Sequence, residues 1–129
     1  MKGGFVKNVL GVVAGLAVWI VVVAVAGAIM RSSWPAYSRV AEAMTFTLPM
    51  MIARLSIGAL ATLAAGWVTT AIAPRPMWMR VIPGVVLLAA FIPQHLSLWN
   101  TFPVWYHLAF LSSLVPLTYL GGATRRLIA

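Results

Sequence analysis

The chain predicts an all-α membrane protein of four transmembrane helices, and three observations lead there. Its composition is 63% hydrophobic and 8% charged, against about a quarter charged in an ordinary soluble domain. Four apolar stretches are each long enough to cross a hydrocarbon core of about 30 Å, which takes roughly 20 helical residues. None alternates apolar with polar residues as a lipid-facing barrel strand does, so the backbone hydrogen bonds must be met inside helices. With 129 residues there is room for a single domain, 1–129.

The first span runs from about Val6 to Met30 and the second from Phe46 to Ala73, entered through Pro49. The third covers Val81 to Trp99 and the fourth Val104 to Leu120, where Gly121 and Gly122 suit a helix end. Lys2 and Lys7 ahead of an apolar run resemble a secretory signal. That run is longer than a signal's usual 7–15 residues and three more spans follow, so it is read as a retained first helix. Short connections give an up-down bundle.

Charge sets the orientation. One acid, Glu42, stands against nine Lys and Arg, for a formal net charge of +8. The basic residues form no single face or run, so nucleic acid is not the expected partner; they lie between apolar stretches, where positive charge orients membrane helices. Lys2, Lys7, Arg75, Arg80, Arg125 and Arg126 fall on the side of the termini, and only Arg31 and Arg39 on the other. The termini therefore face the cytoplasm, and size and composition point to a bacterial inner membrane. Arg125 and Arg126 can meet anionic lipid heads there.

The outer loop, 31–47, offers Ser32 or Ser33 as the cap of a short helix with Pro35 in its first turn. Tyr37, Val40, Ala41 and Met44 would share one face of it, lying in the membrane interface. An irregular loop pinned by Trp34 and Tyr37 is the alternative.

Arg54 is the ninth basic residue, and it lies inside a span. Such a charge is costly and is ordinarily turned inward or toward an interface. Along a helix it shares a stripe with Gly58, Ala61, Thr62 and Ala65, small residues of the kind that mark helix packing. The stripe turns Arg54 toward protein; snorkelling outward is the alternative. Glu42 is the only carboxylate available to pair with it.

His95 and His107 lie six residues either side of Thr101, near the outer ends of consecutive antiparallel helices, and so at matching depth. Gln94, Asn100 and Tyr106 accompany them, making an intramembrane polar level with Arg54. Two such histidines could serve as axial ligands of a b-type haem; zinc would ask for a third ligand, and no metal site is expected. A quinone or lipid headgroup held by Arg54, His95 and the neighbouring aromatics is a further reading, and interfacial anchoring the plainest. Pro83, Pro93 and Pro116 can kink their helices, and Gly11 and Gly15 form a GxxxG that permits close helix approach, within this chain or between copies.

One acid, no Cys and no recognisable nucleophile motif argue against an enzyme. The first expectation is a non-catalytic accessory or assembly subunit, or a self-associating membrane protein, in contact with lipid and with its own copies or a larger complex. The second is an oligomeric small-solute or anion transporter using Arg54. The third is a haem- or quinone-binding protein using His95 and His107.

Overall fold

The computed structural model describes the backbone of residues 2–128 and the side chains of residues 3–125. Five α-helices and one 3-10 turn make up the fold, with no strand among the described residues. They are α1 (Lys2–Ser33), α2 (Pro35–Val40), α3 (Leu48–Ile72), α4 (Ile82–Ser97), preceded by the 3-10 turn Met77–Arg80, and α5 (Val104–Ile128). Three segments are long and apolar enough to cross a membrane: Gly3–Ser33, Leu48–Ile72 and Met77–Ser97. These mark a membrane protein. The fifth helix, 25 residues long, is not among them, because Trp105, Tyr106, His107, Ser112, Ser113, Thr118 and Tyr119 dilute its apolar content.

α1 is apolar around its whole circumference, with Leu10, Val13, Ile20, Val25 and Ile29 exposed, the pattern of a helix whose solvent is lipid. Its glycine face lies on α3. A β-carbon at Gly11 would stand 3.1 Å from that of Ala73, and one at Gly15 would stand 2.8 Å from the Ala65 carbonyl oxygen. The GxxxG is thus used within the chain. The Thr69 hydroxyl donates to the Gly11 carbonyl (2.9 Å), and the Trp19 indole N–H donates to the Thr62 hydroxyl (3.1 Å), which donates to the Gly58 carbonyl (2.6 Å). Residue numbers fall on α3 as they rise on α1, so the two helices are antiparallel.

On its other side α3 meets α5, with Arg54 beside Tyr106, Gly58 beside Phe110 and Gly66 beside Thr118. These two helices run the same way. α4 lies antiparallel to α5, joined by His95 with His107, Phe91 with Phe110, and Gly84 against Leu114. The buried core is Trp19, Ala61, Ala65, Leu87 and Leu114. α1 and α4 approach through Trp19 and Phe91, whose ring centroids are 5.2 Å apart.

The structure corrects four expectations. α5 does not stop at Gly121 and Gly122 but continues to Ile128. No glycine has the positive φ of a helix-terminating cap; these two serve close packing, since a β-carbon at Gly121 would stand 3.1 Å from the Leu63 Cα and one at Gly122 2.7 Å from the Arg80 Cγ. Ser32 and Ser33 do not cap α2: their hydroxyls turn back to the Ile29 carbonyl, and α1 runs on to Ser33 with Trp34 at the cap position. The short helix is real, but Tyr37 and Ala41 are buried against Met50 rather than lying on a surface. Pro83 sits in the first turn of α4, where a missing N–H disturbs nothing, so only Pro93 and Pro116 lie inside helices. The side chains of Lys2 and Arg126, counted above in the charge asymmetry, lie outside the described residues.

Gly66→Ala is expected to destabilise the protein by about 1–3 kcal/mol through overpacking against Thr118. Gly27→Ala, with open space around it, should be neutral or stabilise by up to about 1 kcal/mol through helix propensity. Unfolding midpoints of the two variants in one detergent check the contrast in sign.

Candidate functional site

Above the Trp19–Phe91 contact, a cavity of about 260 Å³ opens between the helices. One face of α1 lines it with Trp19, Val23, Gly27 and Met30, and α4 contributes Phe91, Gln94 and His95, with Leu98 just past its end. Arg54, Ile57 and Gly58 face it from α3, Tyr106 and Phe110 from α5, and Tyr37 from α2. The walls are mostly apolar, while the polar groups gather at one end.

Arg54 is the centre of that polar end. Its Nε donates to the Tyr106 hydroxyl (3.2 Å) and one Nη to the Tyr37 hydroxyl (2.8 Å). The guanidinium carbon lies 4.6 Å from the Phe46 ring centroid and 5.9 Å from that of Phe102, where the electron-rich ring faces attract a cation. Five rings stack in succession beside it. Centroid separations are 5.9 Å for Trp34–Tyr37, 5.2 Å for Tyr37–Phe46, 5.9 Å for Phe46–Phe102 and 4.6 Å for Phe102–Tyr106. The stack draws on α2, both connections and α5, so the loops close over Arg54 as a sheet of aromatic rings.

Glu42 does not pair with Arg54. It is exposed in the turn after α2 and makes no ion pair or side-chain hydrogen bond among the described residues. The turn ends at Met44 in the left-handed region (φ 58°). The work expected of a carboxylate falls to two phenols and two ring faces.

His95 and His107 meet directly, with their Nδ1 atoms 2.7 Å apart and both side chains buried. The proton on His107 Nε2 follows from the next partner along. His107 Nε2 lies 3.2 Å from the Trp99 carbonyl oxygen, which can only accept, so this nitrogen carries the proton. In the tautomer with both rings neutral, His107 Nδ1 holds the lone pair and His95 Nδ1–H donates to it. His95 Nε2 is the remaining acceptor of the pair. Trp99 stacks on His107 (4.7 Å, 11°) and Phe110 on His95 (4.9 Å, 19°), fixing both rings.

This geometry does not suit the two rings as axial haem ligands. Such ligands address one iron from opposite faces of a macrocycle, whereas here the two nitrogens share a hydrogen bond with no space between them. No third His, Cys, Asp or Glu joins the pair among the described residues to complete a metal site.

Of the other residues singled out from the sequence, Gln94 lines the cavity and is exposed, and Asn100 is exposed in the α4–α5 turn and stands apart. Gly58 lines the cavity; Ala61 and Ala65 are fully buried in the core, and Gly11 and Gly15 lie on α3. Tyr37, Phe46 and Phe102 are the partners of Arg54 that reasoning from the sequence missed. The one available signal was the density of aromatic residues in both outer connections. No protein-family model, curated protein or solved structure matches the chain.

Tyr37→Phe and Tyr106→Phe should each destabilise the protein by about 1–2 kcal/mol, as each removes a charge-assisted hydrogen bond between elements. In the Arg54→Met background the same changes should cost much less, and a double-mutant cycle on unfolding free energies measures that coupling.

Proposed function

We propose that the chain is a non-catalytic membrane protein that binds the anionic head of an amphiphile at Arg54. In this reading α5 is a fourth span completing an up-down bundle, with both termini on the cytoplasmic side of a bacterial inner membrane. Its 25-residue length, its packing against α3 and α4, and the exposure of Val104, Leu108 and Leu120 support that role. The excess of arginine and lysine on the side of the termini supports the orientation. Acting as an accessory subunit, alone, with its own copies or in a larger complex, it would hold or present the amphiphile and not transform it.

The observation that carries this reading is a guanidinium set in an intramembrane cavity whose direct partners are phenols and ring faces, with no carboxylate. Two of the five guanidinium N–H groups are engaged, which leaves donors for an oxyanion. Tyr37 and Tyr106 accept from Arg54 through their oxygens, so their own O–H groups remain free to donate. These donors converge on one end of the cavity. A carboxylate or phosphate satisfies them and supplies the charge that Glu42 does not.

Size and walls define the rest of the ligand. About 260 Å³ is at or below the small end of the range for small-molecule sites, enough for a head and the start of a chain. Trp19, Val23, Met30 and Leu98 suit that chain, which would leave through the cleft between α1 and α4. A quinone is the second reading, favoured by the same phenols and His95 Nε2, but a neutral ring leaves the Arg54 charge uncompensated.

Thermal unfolding of the detergent-solubilised protein with added dodecyl phosphate or laurate tests the proposal against dodecanol. At about 100 times Kd the anions should stabilise by about 2.7 kcal/mol. Dodecanol should do far less, and Arg54→Gln should lose most of the effect. An Arg54→Gln protein that responds as the wild type does would overturn the assignment, and stabilisation by a quinone alone would favour the second reading.

A further inference from the structure

The opposite end of the molecule holds a second cluster of cations, and its geometry differs from that around Arg54. A cavity of about 1020 Å³ lies where α1 begins and α3 ends, beside the 3-10 turn and the last turns of α5, lined among others by Asn8, Thr70, Arg75, Arg80 and Arg125. Arg80 is 7% exposed, more than nine-tenths buried. Its stem lies against Gly122, where a β-carbon would stand 2.7 Å from the Arg80 Cγ, and its guanidinium carbon is 5.6 Å from the Tyr119 ring centroid. Arg125 is similarly placed over Trp67, at 5.4 Å.

Two buried polar atoms here have no hydrogen-bond partner, the Arg80 Nε and the Thr70 hydroxyl. Buried polar groups are nearly always satisfied, because an unmet one costs about 1–3 kcal/mol and a charged one more. Both belong to side chains that line this one cavity. The only acid in the chain, Glu42, is exposed in the turn after α2, at the other end of α3 from Thr70. Among the described residues no carboxylate therefore neutralises Arg75, Arg80 and Arg125. At Arg54 the cation has two phenol partners; here the buried cation has an orphaned donor.

We propose that this cavity binds the phosphate of an anionic phospholipid headgroup, with the Arg80 guanidinium as its buried contact and Arg75 and Arg125 at its mouth. Arginine suits phosphate because its planar donors match two oxygens at once. Basic pockets between membrane helices on the positively charged side are general sites for such heads. The volume admits a phosphate with its glycerol. The proposal does not depend on the Arg54 reading, since no residue is shared between the two cavities.

The test is native mass spectrometry of the full-length protein, with phosphatidylglycerol titrated against phosphatidylcholine in one detergent, and unfolding midpoints with inorganic phosphate in parallel. Phosphatidylglycerol should be retained in preference to phosphatidylcholine. Arg80→Gln should weaken that retention roughly ten- to hundredfold, and Arg39→Gln, exposed at the other end of the molecule and lining neither cavity, should leave it unchanged. Should Arg80→Gln fail to fold, Arg75→Gln and Arg125→Gln take its place, and each should weaken the anionic lipid alone. Equal retention of the two lipids would overturn the proposal, as would unaltered phosphatidylglycerol binding by the variants. Stabilisation by inorganic phosphate equal to that by the lipid would assign the site to a free phosphate and overturn the lipid assignment.

Discussion

α3 is in backbone contact on two sides at once, and the rest of the molecule is arranged around that constraint. Ala65 and Thr69 admit Gly15 and Gly11 of α1, while Gly66 admits Thr118 of α5. In lipid the hydrophobic effect does not drive helices together, so association rests on close van der Waals packing and on hydrogen bonds between helices. Small residues on two stripes of one helix provide the first. Threonine provides the second without adding bulk, as Thr69 bonds to the Gly11 carbonyl and Thr62 accepts from Trp19. With α1 and α5 both held to α3, α4 completes the arrangement from α5, and its approach to α1 is left to Trp19 and Phe91. A helix closed on one side only leaves a gap, and that gap is the cavity.

The position of Arg54 follows from this arrangement. It stands one turn before Gly58, on the face of α3 directed at the gap, so its guanidinium enters the space that α1 and α4 do not fill. A cation there needs compensation, and ring faces and phenol oxygens give part of it while keeping the site free of acid. The aromatic stack from Trp34 to Tyr106 ties the outer loops to this one side chain. The two histidines behave differently. They bond to each other and to the Trp99 carbonyl, and so tie the end of α4 to α5, while His95 lines the cavity.

Much of the helical architecture was legible in the sequence because lipid imposes a length and a composition that few other settings require. The stripe Arg54, Gly58, Ala61, Thr62 and Ala65 could be read as a packing face for the same reason. Glycine was harder, because the same residue ends helices and lets them touch, and nothing local in Gly121-Gly122 separates the two uses. The decision lay with Leu63 and Arg80, distant in sequence. Glu42 was assigned to Arg54 by charge alone, and the direction of the 41–44 turn decided otherwise. Equal depth of His95 and His107 followed from their spacing around Thr101; that the rings face each other depends on Trp99 and Phe110 stacking on them.

The single acid constrains the whole molecule. Among soluble proteins, arginines that converge in a cavity are ordinarily balanced by carboxylates of the same chain, and buried charges are paired or coordinate an ion. Here nine basic residues meet one exposed glutamate, and among the described residues no carboxylate pairs with an arginine at either end. The chain uses what remains: ring faces at Arg54, Arg80 and Arg125, and phenol oxygens at Arg54. Ring faces attract a cation but do not accept its N–H hydrogen bonds in the manner of an oxygen, so guanidinium donors stay unspent in both cavities. A membrane contains anionic oxygens in abundance at its two surfaces and almost none between them. The two cavities lie toward opposite ends of α3. On the two proposals above, anions of the surroundings would take the place of the missing carboxylates, one at each cavity.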